Sequence, residues 1–231
     1  MYENKIQKIK DFDPSQPGLA DENIFGLPFT ADESEIVIVP VPWEVTVSYG
    51  AGASEGPQAI LDASFQVDLH HQEFPELWKL GIYLDLGSHT EEWTETSSKY
   101  KALAQPIIRA LESGRIIKED AALQFDLDDI NKQCHAMNEA VRQRVLHWAS
   151  QGKLVALLGG DHSTPLGYYQ ALAELHGDYG ILHLDAHMDL RIAYEGFTYS
   201  HASIMYNTLQ IPQVTKIVQV GIRDFCEQEV M

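Results

Sequence analysis

Two short segments carry most of the chemistry this sequence can offer. Gly159-Gly160-Asp161-His162-Ser163 follows one apolar run, and Asp185-Ala186-His187-Met188-Asp189 follows another. Side chains at i, i+2 and i+4 of an extended segment project to one side, so Asp185, His187 and Asp189 are expected to converge on a point, with His162 joining them from the neighbouring loop. Such a shell of imidazoles and carboxylates suits manganese better than thiolate-preferring metals, and by ligand type it also admits zinc, iron or cobalt. A lone histidine beside an apolar strand is ordinarily a hydrogen-bonded core or surface residue; the paired spacing is what turns the reading toward a metal centre.

The elements that must position these loops are legible around them. Ile36 to Pro42, Leu154 to Leu158, Ile181 to Leu184 and Lys216 to Val220 are short, mostly apolar runs of the kind that form parallel strands buried on both faces. Between them, residues 128–151 place Ile130, Cys134, Met137, Val141, Val145 and Trp148 at helical spacing, with Asp128 or Asp129 expected to cap the start and Gly152 the end. Residues 165–175 predict a second helix. Alternating strands and helices imply an α/β fold of three layers, α/β/α, with a mostly parallel central sheet. In such sheets ligands gather beyond the carboxyl ends of the strands, where both motifs lie. Residues 1–34, rich in turn formers, read as an irregular leader, and residues 35–231 as one domain.

Composition narrows the function. The 231 residues carry 16 basic and 34 acidic side chains, a formal charge of -18. That balance argues against a nucleic-acid partner and favours metal cations and cationic small molecules. No apolar stretch in the sequence is long enough for a membrane span, so a cytoplasmic protein is expected. Cys134 and Cys226 stand far apart, in neither a disulfide framework nor a zinc-ribbon pattern.

The pair Gly159-Gly160-Asp161-His162-Ser163 and His183-Leu184-Asp185-Ala186-His187-Met188-Asp189 resembles the first two signatures of the ureohydrolase superfamily, the arginases, agmatinases and formimidoylglutamases. Gly50-Ala51-Gly52-Ala53-Ser54-Glu55-Gly56-Pro57-Gln58-Ala59-Ile60 is similar to that family's Gly-rich loop before a helix, and the resemblance spans roughly residues 35 to 225. It implies two manganese ions, with His162 and Asp189 on one, His187 on the other and Asp185 bridging. Water held between two such ions yields a hydroxide that attacks a guanidine carbon. His201 stands where relatives keep a proton-shuttling histidine, a residue type suited to protonating a departing amine. Here Ala202 follows it, where many relatives have glycine.

Two departures matter. The family's third signature, a later Ser-x-Asp-x-Asp, has no counterpart, since Asp126, Asp128 and Asp129 precede the Gly-Gly-Asp-His loop and read as capping charges. The chain thus reads as shortened at its C-terminal side, with strands missing, an unpaired sheet edge, exposed apolar surface and weakened or single-metal binding expected. Second, Leu190 and Arg191 follow Asp189, which lowers the likeness to arginases and leaves agmatine as the leading substrate. Arg191, if it entered the pocket, would instead favour a carboxylate, as in formiminoglutamate or guanidinobutyrate; otherwise it forms a surface salt bridge. A homo-oligomer is what the resemblance implies for the full-length form. The contrasting reading is a non-catalytic binding or assembly protein that keeps the fold.

Overall fold

The computed structural model describes residues 2–16, 18 and 23–230. Seven helices and five strands are assigned among them: α1 (Tyr2–Asp11), β1 (Ile36–Val41), α2 (Gly56–Ser64), β2 (Ile82–Leu84), α3 (Ser88–Glu112), α4 (Ala121–Ala149), β3 (Leu154–Gly159), α5 (Leu166–His176), β4 (Tyr179–Leu184), α6 (Ile204–Leu209), β5 (Val214–Val220) and α7 (Glu227–Val230). Every pairing between strands is parallel, and the expected α/β architecture is what forms.

β1 is the middle strand of a β2-β1-β3 sheet, running from Ile36 opposite Leu154 to Val41 opposite Gly159. Pro40 sits in this central strand, although proline cannot donate to a ladder. The hydrogen-bonding direction alternates along a strand, and Ile38 accepts from Asp85 on the β2 side while Val41 accepts from Gly160 on the β3 side. Pro40 therefore faces the β2 side, beyond the end of β2 at Leu84, where its missing N–H interrupts no ladder bond.

β4 and β5 form a separate two-stranded sheet, so the single central sheet expected from the sequence is here two parallel pieces. One face of this piece packs Ile181 and Ile217 against Leu166, Ile204 and Met205. On the other face Leu182 opposes Val218 and Leu184 opposes Val220, and all four are exposed, Leu182 at 66% and Leu184 at 70%. Free strand edges and an open apolar face accord with the expectation of uncovered sheet.

The main core lies against β1, where Val37, Val39 and Val41 are fully buried. α4 supplies Leu127, Ile130, Cys134, Met137, Val141, Val145 and Trp148, the three-and-four spacing of a helix with one buried stripe. Truncating Ile130 to alanine would cost about 2–5 kcal/mol, a cavity in close-packed surroundings. α5 crosses α4 closely enough that a Cβ on Gly167 would fall 2.0 Å from the Asn138 carbonyl oxygen, so only glycine fits there.

Three local expectations need correction. α4 begins at residue 121, and its cap is Asp120, whose carboxylate accepts the N–H groups of Ala122 and Leu123. Asp126, Asp128 and Asp129 lie inside the helix and cap nothing; their spacing invited the error because acids favour helix starts generally. The leader is not wholly irregular, since α1 is helical and anchored by Asn4 and Lys8 to the buried Glu33, with Ile9 and Phe12 packed on Leu27, Phe29 and Trp78. Pro17 and residues 19–22 of the leader lie outside the described residues.

Candidate metal centre

The loop after β3 is built around a close approach. Gly160 donates to Val41, Asp161 donates to the Trp43 carbonyl, and a Cβ on Gly160 would sit 2.1 Å from that carbonyl oxygen. Glycine lets the turn press against the end of β1. Asp161 then buries its carboxylate and accepts from the Ser163 N–H at 2.8 Å and the Ser163 hydroxyl at 2.5 Å. Burial pushes the Asp161 carboxyl above its ordinary range, and the Ser163 donors only partly offset this. The effect is a rigid elbow with His162 at its tip.

Beyond β4 the chain does not continue as an extended strand. Asp185 Oδ1 accepts the His187 N–H at 2.9 Å, and Asp189 takes a left-handed φ of 55°, a conformation aspartate tolerates better than most side chains. The expected alternation through 185, 187 and 189 therefore fails, because the backbone turns there. It holds one step earlier, through His183 and Asp185.

The result brings together His162, Asp185, Asp189 and His183; one donor atom from each lies within 4.8 Å of the others. His162 Nδ1 is 2.6 Å from Asp189 Oδ2 and 3.3 Å from Asp185 Oδ2. Burial alone would lower the His162 pKa, but the carboxylates of Asp189, Asp185 and Asp161 hold it above the usual value. Burial would likewise raise Asp185, yet the His187 N–H and the imidazoles of His162 and His183 keep it low.

His183 is the residue the sequence reading did not assign. It sits buried in an apolar strand, with Nε2 3.4 Å from Asp185 Oδ2 and Nδ1 2.9 Å from Gln219 Nε2. Gln219 also approaches the Met188 carbonyl at 2.8 Å, which fixes its amide nitrogen as the donor. Nδ1 then accepts, so in the neutral ring Nε2 carries the proton, 3.4 Å from Asp185 Oδ2 but not in hydrogen-bonding geometry. His183 thus stands beside Asp185 as an outer neighbour, rather than offering a lone pair itself. A buried polar residue within Ile181-Leu182-His183-Leu184 was the signal available in the sequence.

His187 stands apart from this group. Its Nδ1 is 3.3 Å from the other oxygen of Asp185, its Nε2 3.8 Å from Asp224, and its side chain is 58% exposed. Asp185 therefore has one oxygen toward His162 and the other toward His187.

A cavity of about 160 Å³ opens beside the cluster, bordered by Ser48, His187, Asp189, Tyr194 and His201. His201 Nδ1 is buried without a hydrogen-bond partner. Arg191 also lines the cavity, with its guanidinium 4.9 Å over the Tyr194 ring and 3.7 Å from Glu229. Glu229 is itself held by the N–H groups of Leu190 and Cys226.

Parallel strands thus present a convergent imidazole and carboxylate cluster at their carboxyl ends, in an α/β protein. The arginase family pattern matches residues 34–231, and the chain belongs to that family. Among curated proteins it is 33% identical over 196 residues to the N(1)-aminopropylagmatine ureohydrolase of Thermus thermophilus, covering 83% of this chain and 52% of that one. It is 27% identical over 198 residues to an agmatinase of Bacillus anthracis, covering 86% and 55%. In fold it is similar to the agmatine ureohydrolase of Thermoplasma volcanium, with a TM-score of 0.61 at 20% identity over 97% of this chain and 60% of that one. The chain spans about half the length of the curated relatives it matches. No helix among the described residues is long and apolar enough to cross a membrane.

Proposed function

We propose that this chain acts as a manganese-dependent hydrolase of a linear amidino compound, with an agmatine-like amine as substrate and urea as product. The observation that carries the reading is the meeting of His162, Asp185 and Asp189 at adjoining loop ends. The donor set of imidazole and carboxylate fits a hard to borderline divalent ion, with two carboxylates already drawn to one imidazole. His162, Asp185 and Asp189 would hold one ion, and His187 with the second oxygen of Asp185 would serve another. Divalent cations there supply a nucleophile from water at neutral pH.

The chain's own groups do the rest. Asp189 and Asp185 keep His162 fixed, and His183 stands beside Asp185. His201, on the wall of the same cavity, is the group placed to hand a proton to the departing amine. Asp224 adds negative charge to that wall, which favours a substrate with a second cationic end. The guanidinium of Arg191 is engaged by Glu229 and Tyr194, so its charge is partly offset and the case for a carboxylate-bearing substrate weakens. Similarity to aminopropylagmatine ureohydrolases and agmatinases supports the same substrate class.

Urea release is the test, using manganese-loaded protein with agmatine, an aminopropylated agmatine, arginine and guanidinobutyrate. Cation-dependent turnover of the first two is expected. Absence of urea from all four, with cation binding verified, would overturn the reading.

A further inference from the structure

The loop from Pro42 to Glu55 joins β1 to α2 and carries Ser48 to the wall of the cavity. One buried carboxylate links its two arms. Glu44 is 4% exposed, and its Oε2 accepts the Gly52 N–H at 2.8 Å and the Ser54 N–H at 3.3 Å. Its Oε1 is paired with the Lys101 ammonium from α3, and its own N–H donates to Ser97 on the same helix at 3.0 Å. Between these anchors the tip is open, with Tyr49 95% exposed and Gly50 and Gly52 at positive φ. At φ +128°, Gly52 adopts a backbone that a side chain would strain, and there its N–H meets the carboxylate.

We propose that the Glu44–Lys101 pair is a latch that positions the Ser48 tip over the metal-side cavity, and so sets how tightly an amidino substrate is held. This rests on the hydrolase reading for its substrate, but not for the latch. Trp43 and Val45 fix the first arm in the main core, whereas the exposed tip from Ser48 to Ser54 has few apolar contacts of its own and would open readily without the carboxylate. Here a buried acid must give up both backbone donors and its cation before the arms can separate, and such pairs are costly to break. Trp43, whose carbonyl holds the Asp161 turn, is buried in the main core ahead of the tip, so freeing residues 48–54 acts on the substrate side.

Hydrogen exchange of residues 48–54, with manganese and agmatine titrations, tests this on Glu44→Gln, Lys101→Met and Lys101→Arg. Glu44→Gln and Lys101→Met are expected to speed exchange of the Gly52 and Ser54 amides by about tenfold or more, with β3 protection unchanged. Manganese affinity should stay within about twofold, agmatine affinity should fall by roughly fivefold or more, and Lys101→Arg should retain both native values. Native exchange across 48–54 in both variants would overturn the latch, as would a freed loop with unaltered agmatine affinity. If the native manganese-loaded protein binds no agmatine, the hydrolase reading fails, and the exchange data alone decide whether the latch stands.

Discussion

His162 Nδ1 and Asp189 Oδ2 lie 2.6 Å apart although 27 residues separate them. The contact joins the loop after β3 to the loop after β4, two strands that belong to different sheets, so it ties the two sheets together as well as belonging to the candidate cation site. Asp189 reaches it from a left-handed backbone, and its carbonyl accepts from Met205 and Tyr206 at the start of α6. Local strain is thereby held in place by a helix end.

Gln219→Leu should weaken manganese binding measurably, but by less than the about 10–100-fold of losing an outer partner of a metal ligand, since Gln219 touches His183 and not a ligand. Without that donor His183 is free to choose its tautomer, and the proton beside Asp185 is no longer fixed. Calorimetric titration reads the change, and an affinity equal to the native one would show that the His183 tautomer plays no part in the site.

Gly160→Ala should destabilise the protein by about 1–3 kcal/mol or more, since the added methyl would overlap the Trp43 carbonyl. Both chains in the contact are backbone, so the turn must shift and carry His162 with it. Urea denaturation gives the stability, and loss of cation affinity in whatever folds would follow from the displaced elbow.

Asp85→Ala separates stability from site chemistry. Asp85 is buried at the end of β2, pairs with the Arg144 guanidinium and accepts the Trp148 indole N–H at 2.7 Å. Removing it leaves a cation without its partner, at a cost of about 3–5 kcal/mol. Denaturation midpoints should fall, while cation affinity of the folded fraction stays native.

Acid should weaken the fold through Glu44. Burial would raise its pKa, but Lys101 and the N–H groups of Gly52 and Ser54 hold it at about 2, below the value of 4.5 for a free glutamate. The folded state therefore favours the ionised form, and this stabilisation is fully present above pH 4.5 and lost as pH falls toward 2. Its size is at most about 3 kcal/mol. Glu44→Gln should flatten the stability curve over that interval, and a curve as steep as the native one would assign the acid sensitivity elsewhere.

How much was readable in advance follows physical lines. β1, β3, β4 and α4 were visible because continuous apolar runs and three-and-four spacing survive without tertiary context. α3 was not placed, because its buried positions include Ser97, Tyr100 and Ala104, and Pro106 interrupts it. β2 is three residues long and leaves little pattern. The site was legible as far as residue types at strand ends, and three of its four expected members meet. The turn at Asp185 and the left-handed Asp189 depend on contacts with His187 and α6, which no periodicity encodes; hence His183 entered the cluster and His187 moved to its flank.

The central claim is that these two loops share a cation. Manganese titration of the native protein against Asp189→Asn tests it most directly, because asparagine tolerates the left-handed backbone while removing the charge. The account predicts saturable binding to the native chain and at least about a tenfold loss in the variant. Equal affinity in both would contradict it.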